Sequence, residues 1–145
     1  MKKFPEGKIY HVFNKSIANY PIFKDLNNSQ RFIQVLDYYN NLLVQSNLGN
    51  YLKTNKNYSP ELLTVKDDRL IKFLAYCIMP DHYHLLIEIL KENCLSKYIN
   101  DIEKSNLYLT INNINISFAK NSGPKEILSQ GNIKTNLEGY VYFSI

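Results

Sequence analysis

The stretch from Arg69 to Leu90, RLIKFLAYCIMPDHYHLLIEIL, decides the fold. Arg69 to Ile78 is dense in apolar, aromatic and β-branched side chains and reads as a strand. A short break, Met79-Pro80-Asp81, ends it, and His82 to Leu90 reads as a second strand. Two such runs joined by a short turn predict a β-hairpin.

Working outward, Lys8 to Lys15 (KIYHVFNK) predicts an earlier strand. Phe32, Ile33, Val35, Leu36, Tyr39, Leu42 and Leu43 recur at helical spacing and predict a helix over about 29–44, with Asn27-Asn28-Ser29 as cap candidates. Residues 45–68, carrying Gly49, Asn55, Asn57 and Ser59-Pro60, read as an irregular insertion with a short helical turn at Pro60 to Leu63. Beyond the hairpin, Leu95-Ser96 opens a second helix with Tyr98, Ile99, Ile102 and Leu109 on one side. Ser122-Gly123-Pro124 breaks the chain, and Gly139 to Ile145 reads as a last strand. The order β-α-β-β-α-β predicts one α+β domain over residues 1–145. Its expected arrangement is the ferredoxin-like split β-α-β, an antiparallel sheet with two helices on one face. That fold serves many functions, so function has to be read from a site.

Composition narrows the classes. The 145 residues suffice for one core, and 45% hydrophobic with 21% charged residues is ordinary for a globular domain. Seventeen Lys and Arg against thirteen Asp and Glu give +4, a balance that suits a nucleic-acid partner without demanding one. No run approaches the roughly 18 apolar residues of a membrane helix, and no apolar stretch follows Met1-Lys2-Lys3. Cys77 and Cys94 match no CxxC spacing, so reduced thiols and a cytoplasmic setting are expected.

The residues with chemistry in them are His82 and His84. Side chains alternate along a strand, so the two imidazoles share a face with Cα atoms roughly 6.5–7 Å apart, and Tyr83 points the other way. Two imidazoles so placed can hold one divalent cation. The spacing alone leaves a second reading open, two polar residues on a solvated face.

The whole segment Ala75-Tyr76-Cys77-Ile78-Met79-Pro80-Asp81-His82-Tyr83-His84-Leu85-Leu86-Ile87 resembles the signature of the IS200-like and REP-associated single-tyrosine (HUH) transposases, A-Y-C-x-M-P-N-H-x-H-L-L-I. Asp81 stands where Asn is usual. Tyr10 to Lys15, Ile22 to Asp25 with Arg31-Phe32, and Leu95-Ser96-Lys97 are similar to further family segments, so the resemblance runs from about Tyr10 to Ser105. It implies the HUH endonuclease fold, with His82 and His84 holding Mg2+ or Mn2+ together with a polar ligand from the following helix. It further implies a tyrosine on that helix that cleaves and rejoins single-stranded or hairpin DNA through a 5′-phosphotyrosine link. Some relatives exchange this helix in a homodimer, and the implied setting is a bacterial or archaeal cell.

The nucleophile departs from the pattern. The family tyrosine comes eleven positions after the leucine, which from Leu95 falls on Asn106. Tyr108 is the nearest tyrosine. At about 100° per residue, Asn106 lies about 40° from Ile102 and Tyr108 about 120° away. Tyr108 remains the candidate nucleophile by two routes, a bulge after Ser105 or service to a partner subunit's histidines. In the first route Asn112, one turn on, is the candidate third ligand. The alternative is a catalytically impaired, transposase-derived DNA-binding protein. The C-terminal part departs as well: residues 121–130 retain Gly123 and Gln130 but lack the family's arginine and aromatic residues.

Lesser candidates follow the same face logic. Glu88 shares the histidine face by even spacing, and His11 reads as a strand residue and not a third ligand. Lys15, Lys24, Arg31, Lys72 and Lys97 are candidate phosphate contacts among surface charges. Tyr76, Tyr83 and Tyr98 either stack on bases or, for most of them, pack in the sheet and core. An RNA-binding ferredoxin-like domain is disfavoured because no RNP pattern occurs.

Overall fold

The computed structural model describes residues 3–15, 21–113, 132–135 and 140–144, and side chains within 3–15 and 21–105. The elements are β1 (Ile9–Lys15), α1 (Leu26–Tyr38), α2 (Leu48–Thr54), β2 (Ile71–Ile78), β3 (His82–Ile89), α3 (Leu95–Asn113), β4 (Asn132–Thr135) and β5 (Tyr140–Ser144). The class is α+β, as expected.

The sheet order is β2-β3-β1-β5-β4. β2 and β3 form the predicted antiparallel hairpin, and β3 runs antiparallel to β1. These three strands have the order of the split β-α-β. Beyond β1 the sheet differs from the expected one: β5 runs parallel to β1, and β4 is an additional strand paired antiparallel with β5. Four residues, NIKT, are too few for an alternation to register in the sequence. The direction in which a returning strand joins a sheet is set by the connection before it, which local pattern does not encode. The breaker at 122–124 and the stretch 121–130 lie outside the described residues.

The core sits on one face of the sheet. Along β3, Tyr83, Leu85, Ile87 and Ile89 are buried, while the alternating His82, His84, Leu86 and Glu88 face the other way. Val12 of β1 and Ile71 and Phe73 of β2 join the buried set. Onto it pack Phe32, Val35 and Leu36 of α1, Leu48 of α2, and Leu95, Tyr98, Ile99 and Ile102 of α3. Each large apolar side chain so buried contributes about 1.5–3 kcal/mol before chain entropy is counted. The two long helices touch directly, where the Tyr98 hydroxyl donates to the Leu36 carbonyl at 2.8 Å. At Leu74 a bulge shifts the β2–β3 register, and the β2 residues after it, Ala75 to Cys77, are exposed.

α1 begins and ends earlier than its apolar spacing predicts. Asp25 is the N-cap, its side chain accepting from the Asn27 amide, while Asn28 turns inward and donates to the Ile22 carbonyl. At the other end the buried Asn40 stops the helix. Its Oδ1 accepts from the Leu70 and Ile71 amides and its Nδ2 donates to the Ile71 carbonyl, each at 2.9 Å. One side chain therefore substitutes for a ladder partner at the start of β2. Leu42 and Leu43, counted into the helical stripe by spacing, are 56% and 74% exposed.

The segment 45–68 is better ordered than an irregular insertion. It contains α2, capped by Asn47, and a turn near Leu62-Leu63 closed by Thr64 to Glu61. A seven-residue helix is too short for periodicity to announce it. Leu48 and Leu62 plug into the core. The segment is pinned at its end by Arg69, whose guanidinium pairs with Asp37 at 2.6 Å while the Tyr58 hydroxyl donates to the same carboxylate.

Candidate functional site

Because both long helices cover one face of the three-stranded region, the histidines stand on the opposite face, away from both helices. The strand register decides their neighbours: Phe13 pairs with His84 and Lys15 with His82 on β1, and Cys77 pairs with His84 on β2. His82 and His84 have ring centroids 5.1 Å apart, edge to face. This is the face sharing expected from the HxH spacing.

Each imidazole has a partner at Nδ1. Asp81 Oδ1 lies 2.7 Å from His82 Nδ1, and His11 Nε2 lies 2.9 Å from His84 Nδ1. His11 and His84 also stack, centroids 5.1 Å apart at 16°. His11, read from sequence as a strand residue only, thus joins the site as a neighbour of one candidate ligand. The signal for it was the β1–β3 register, which places His11 diagonally across from His84 and cannot be read from β1 alone. Asp81, expected only to suit the turn, is held below the usual carboxylate range by the hydrogen bond with His82, aided by the Lys15 charge. Lys15 Nζ is 3.8 Å from Asp81 but 60% exposed, so that ion pair contributes little to stability. Burial, reinforced by His11 and His82, lowers the pKa of His84 and favours the neutral ring that can act as a ligand.

Other expected residues are not brought together. Glu88 shares the face but stands four residues from His84, about 13 Å along the strand, and pairs with Lys72. Tyr83 and Tyr98 are core residues, 1% and 0% exposed, and cannot stack on a base. Tyr76 is 40% exposed. Lys97 is engaged by Asp101 one turn along α3. Among the described residues no group of three or more His, Cys, Asp or Glu is placed to hold a metal. Two imidazoles on one face nevertheless suit a divalent cation, provided further ligands come from elsewhere. Tyr108, Asn106 and Asn112 lie on the backbone of α3, and their side chains are outside the described residues.

The described part of α3 adds a constraint. Glu103 is 6% exposed, and its Oε1 accepts from Asn14 Nδ2 at 2.9 Å and from the Tyr83 hydroxyl. Tyr83 sits between the two histidines in sequence, so α3 is tied to their strand through the sheet's buried side. Burial pushes the Glu103 carboxyl up, outweighing the hydrogen bonds from Tyr83 and Asn14. With a folded pKa above the ordinary 4.5, the native chain binds more protons than the unfolded one, so this group lowers stability as pH rises past about that value. Glu103→Gln keeps the Oε1 acceptor and removes the buried charge. Its stability advantage over the wild type is expected to widen between pH 4 and pH 7 in denaturant titrations, and a gap that does not change with pH would contradict this.

The helix thus runs on the face away from the histidines, at least through Glu103. No helix of the described residues is long and apolar enough to cross a membrane. No curated protein and no solved structure matches the chain. A family model, that of the IS200-like transposases, matches residues 43–121, which is 79 of the 145 residues and spans α2, the hairpin, the histidine pair and α3. This chain belongs to the IS200-like transposase family.

Proposed function

We propose that the protein cleaves and rejoins single-stranded or hairpin DNA through a tyrosine, with His82 and His84 holding the divalent cation the reaction uses. The observation that carries the reading is the histidine pair on the sheet face away from both long helices, both rings engaged at Nδ1 and both on the same side of β3. Mg2+ or Mn2+, when bound there, supplies Lewis-acid polarisation of a phosphoryl oxygen. His82 and His84 are its ligands, and Asn112 of a second copy, one turn beyond Tyr108 on α3, is the residue proposed to complete the set.

The nucleophile is Tyr108. Its phenolic oxygen forms a bond to phosphorus, the bond from phosphorus to the 3′ oxygen breaks, and that oxygen leaves as a hydroxyl after taking up a proton. The 5′-phosphotyrosine conserves the bond energy, so a later 3′-hydroxyl reverses the step and seals the strand. Because α3 packs on the face opposite the histidines through Glu103, the tyrosine is proposed to serve the histidines of a second copy in a homodimer. Lys15, which pairs with His82 across the β1–β3 ladder, is proposed to meet a backbone phosphate.

The test is incubation with labelled single-stranded DNA from the flanks of the gene and Mn2+, followed by a denaturing gel. A slow-migrating covalent band is expected, absent for Tyr108→Phe and for His82→Ala. DNA binding with no band under any metal would assign the chain to the second reading, a transposase-derived DNA-binding protein impaired where Asn106 replaces the tyrosine.

A further inference from the structure

The geometry points to Asp81 and His11 as positioning residues that fix the tautomers of His82 and His84, so that each ring presents a bare Nε2 to the same cation. This rests on the reading of the two histidines as ligands. A neutral imidazole carries one proton, and a partner at one nitrogen decides which nitrogen carries it. A carboxylate oxygen can only accept, so with Asp81 Oδ1 2.7 Å from His82 Nδ1 the proton of a neutral His82 sits on Nδ1. Its Nε2 is then a lone pair. At His84 the contact is Nδ1 to His11 Nε2 at 2.9 Å, and one of the two must donate. Ligation through His84 Nε2 requires the proton on His84 Nδ1, with His11 accepting through Nε2. With His11 as the acceptor, two different residues on two different elements, a turn and β1, hold the same tautomer on adjacent ligands of β3.

A neutral histidine side chain in water prefers the proton on Nε2, so two Nδ1–H rings side by side would be an imposed state. Outer partners of this kind orient a ligand ring and raise its basicity, and their loss typically costs 10–100-fold in metal affinity. Asparagine at position 81 retains an oxygen that can accept from Nδ1–H, and glutamine at position 11 offers the same to His84.

The experiment has two readouts on the whole protein. Long-range proton–nitrogen NMR of the metal-free protein at pH 8 reads each tautomer directly, and calorimetric titration with Mn2+ reads affinity. The expected result is Nδ1–H for both His82 and His84 in the wild type. Asp81→Ala and His11→Phe should each release the tautomer of their own partner and weaken Mn2+ binding about 10–100-fold. Asp81→Asn and His11→Gln should restore both readouts to near wild type. Wild-type rings protonated at Nε2, or Mn2+ affinity unchanged in Asp81→Ala and His11→Phe while His82→Ala abolishes it, would overturn the positioning role and leave the ligand reading standing. Absence of Mn2+ binding that depends on His82 and His84 would overturn the ligand reading and the inference with it.

Discussion

Arg69→Met is expected to destabilise the fold by about 3–5 kcal/mol, the usual cost of removing one partner of a buried ion pair. Arg69 and Asp37 are 5% and 6% exposed, and their 2.6 Å contact lies in the core. The guanidinium also donates to the Asp37 carbonyl at 2.9 Å, so its loss strands a carboxylate and a carbonyl together. The Tyr58 hydroxyl is then left donating to that carboxylate, and burial together with Asp37 already holds that phenol protonated well above its ordinary range. The double variant Asp37→Leu with Arg69→Met should recover much of the loss, because no unpaired charge remains. Urea titration of the two variants checks this, and a single variant within 1 kcal/mol of wild type would mean that the pair anchors nothing.

The second large effect is qualitative. Tyr108→Phe and His82→Ala, each inactive alone in covalent DNA cleavage, are expected to regain part of the wild-type activity when mixed. One protomer then supplies the histidines and the other supplies the tyrosine. The prediction follows from the placement of α3, whose Leu95, Tyr98, Ile99, Ile102 and Glu103 are buried on the face opposite His82 and His84. A mixture as inactive as its components, under conditions where both still bind DNA, would place the tyrosine and the histidines in one chain.

Much of this architecture is legible in the sequence because strong periods leave little choice. The hairpin Ile71–Ile78 and His82–Ile89 follows from two apolar runs around Met79-Pro80-Asp81, and the facing of His82 and His84 follows from the period of two. What escapes is what depends on partners distant in the chain. α1 stops at Tyr38 because Asn40 is consumed by the amides of Leu70 and Ile71, thirty residues on, although the apolar spacing continues through Leu43. α2 is too short to show a period, and the parallel approach of β5 to β1 is set by a connection. At the site the split is similar. His82 and His84 are visible in one strand, whereas the role of His11 needs the β1–β3 register, and the buried carboxylate of Glu103 needs knowledge that Tyr83 and Asn14 meet it.

The most direct measurement is the identity of the residue that carries the DNA. The covalent product formed with single-stranded DNA and Mn2+ would be digested with protease and nuclease and its nucleotide-linked peptide sequenced by mass spectrometry. A phosphodiester on Tyr108 is expected, formed by the wild type and not by His82→Ala. A nucleotide on any other residue, or DNA bound tightly with no linked peptide at all, would contradict it.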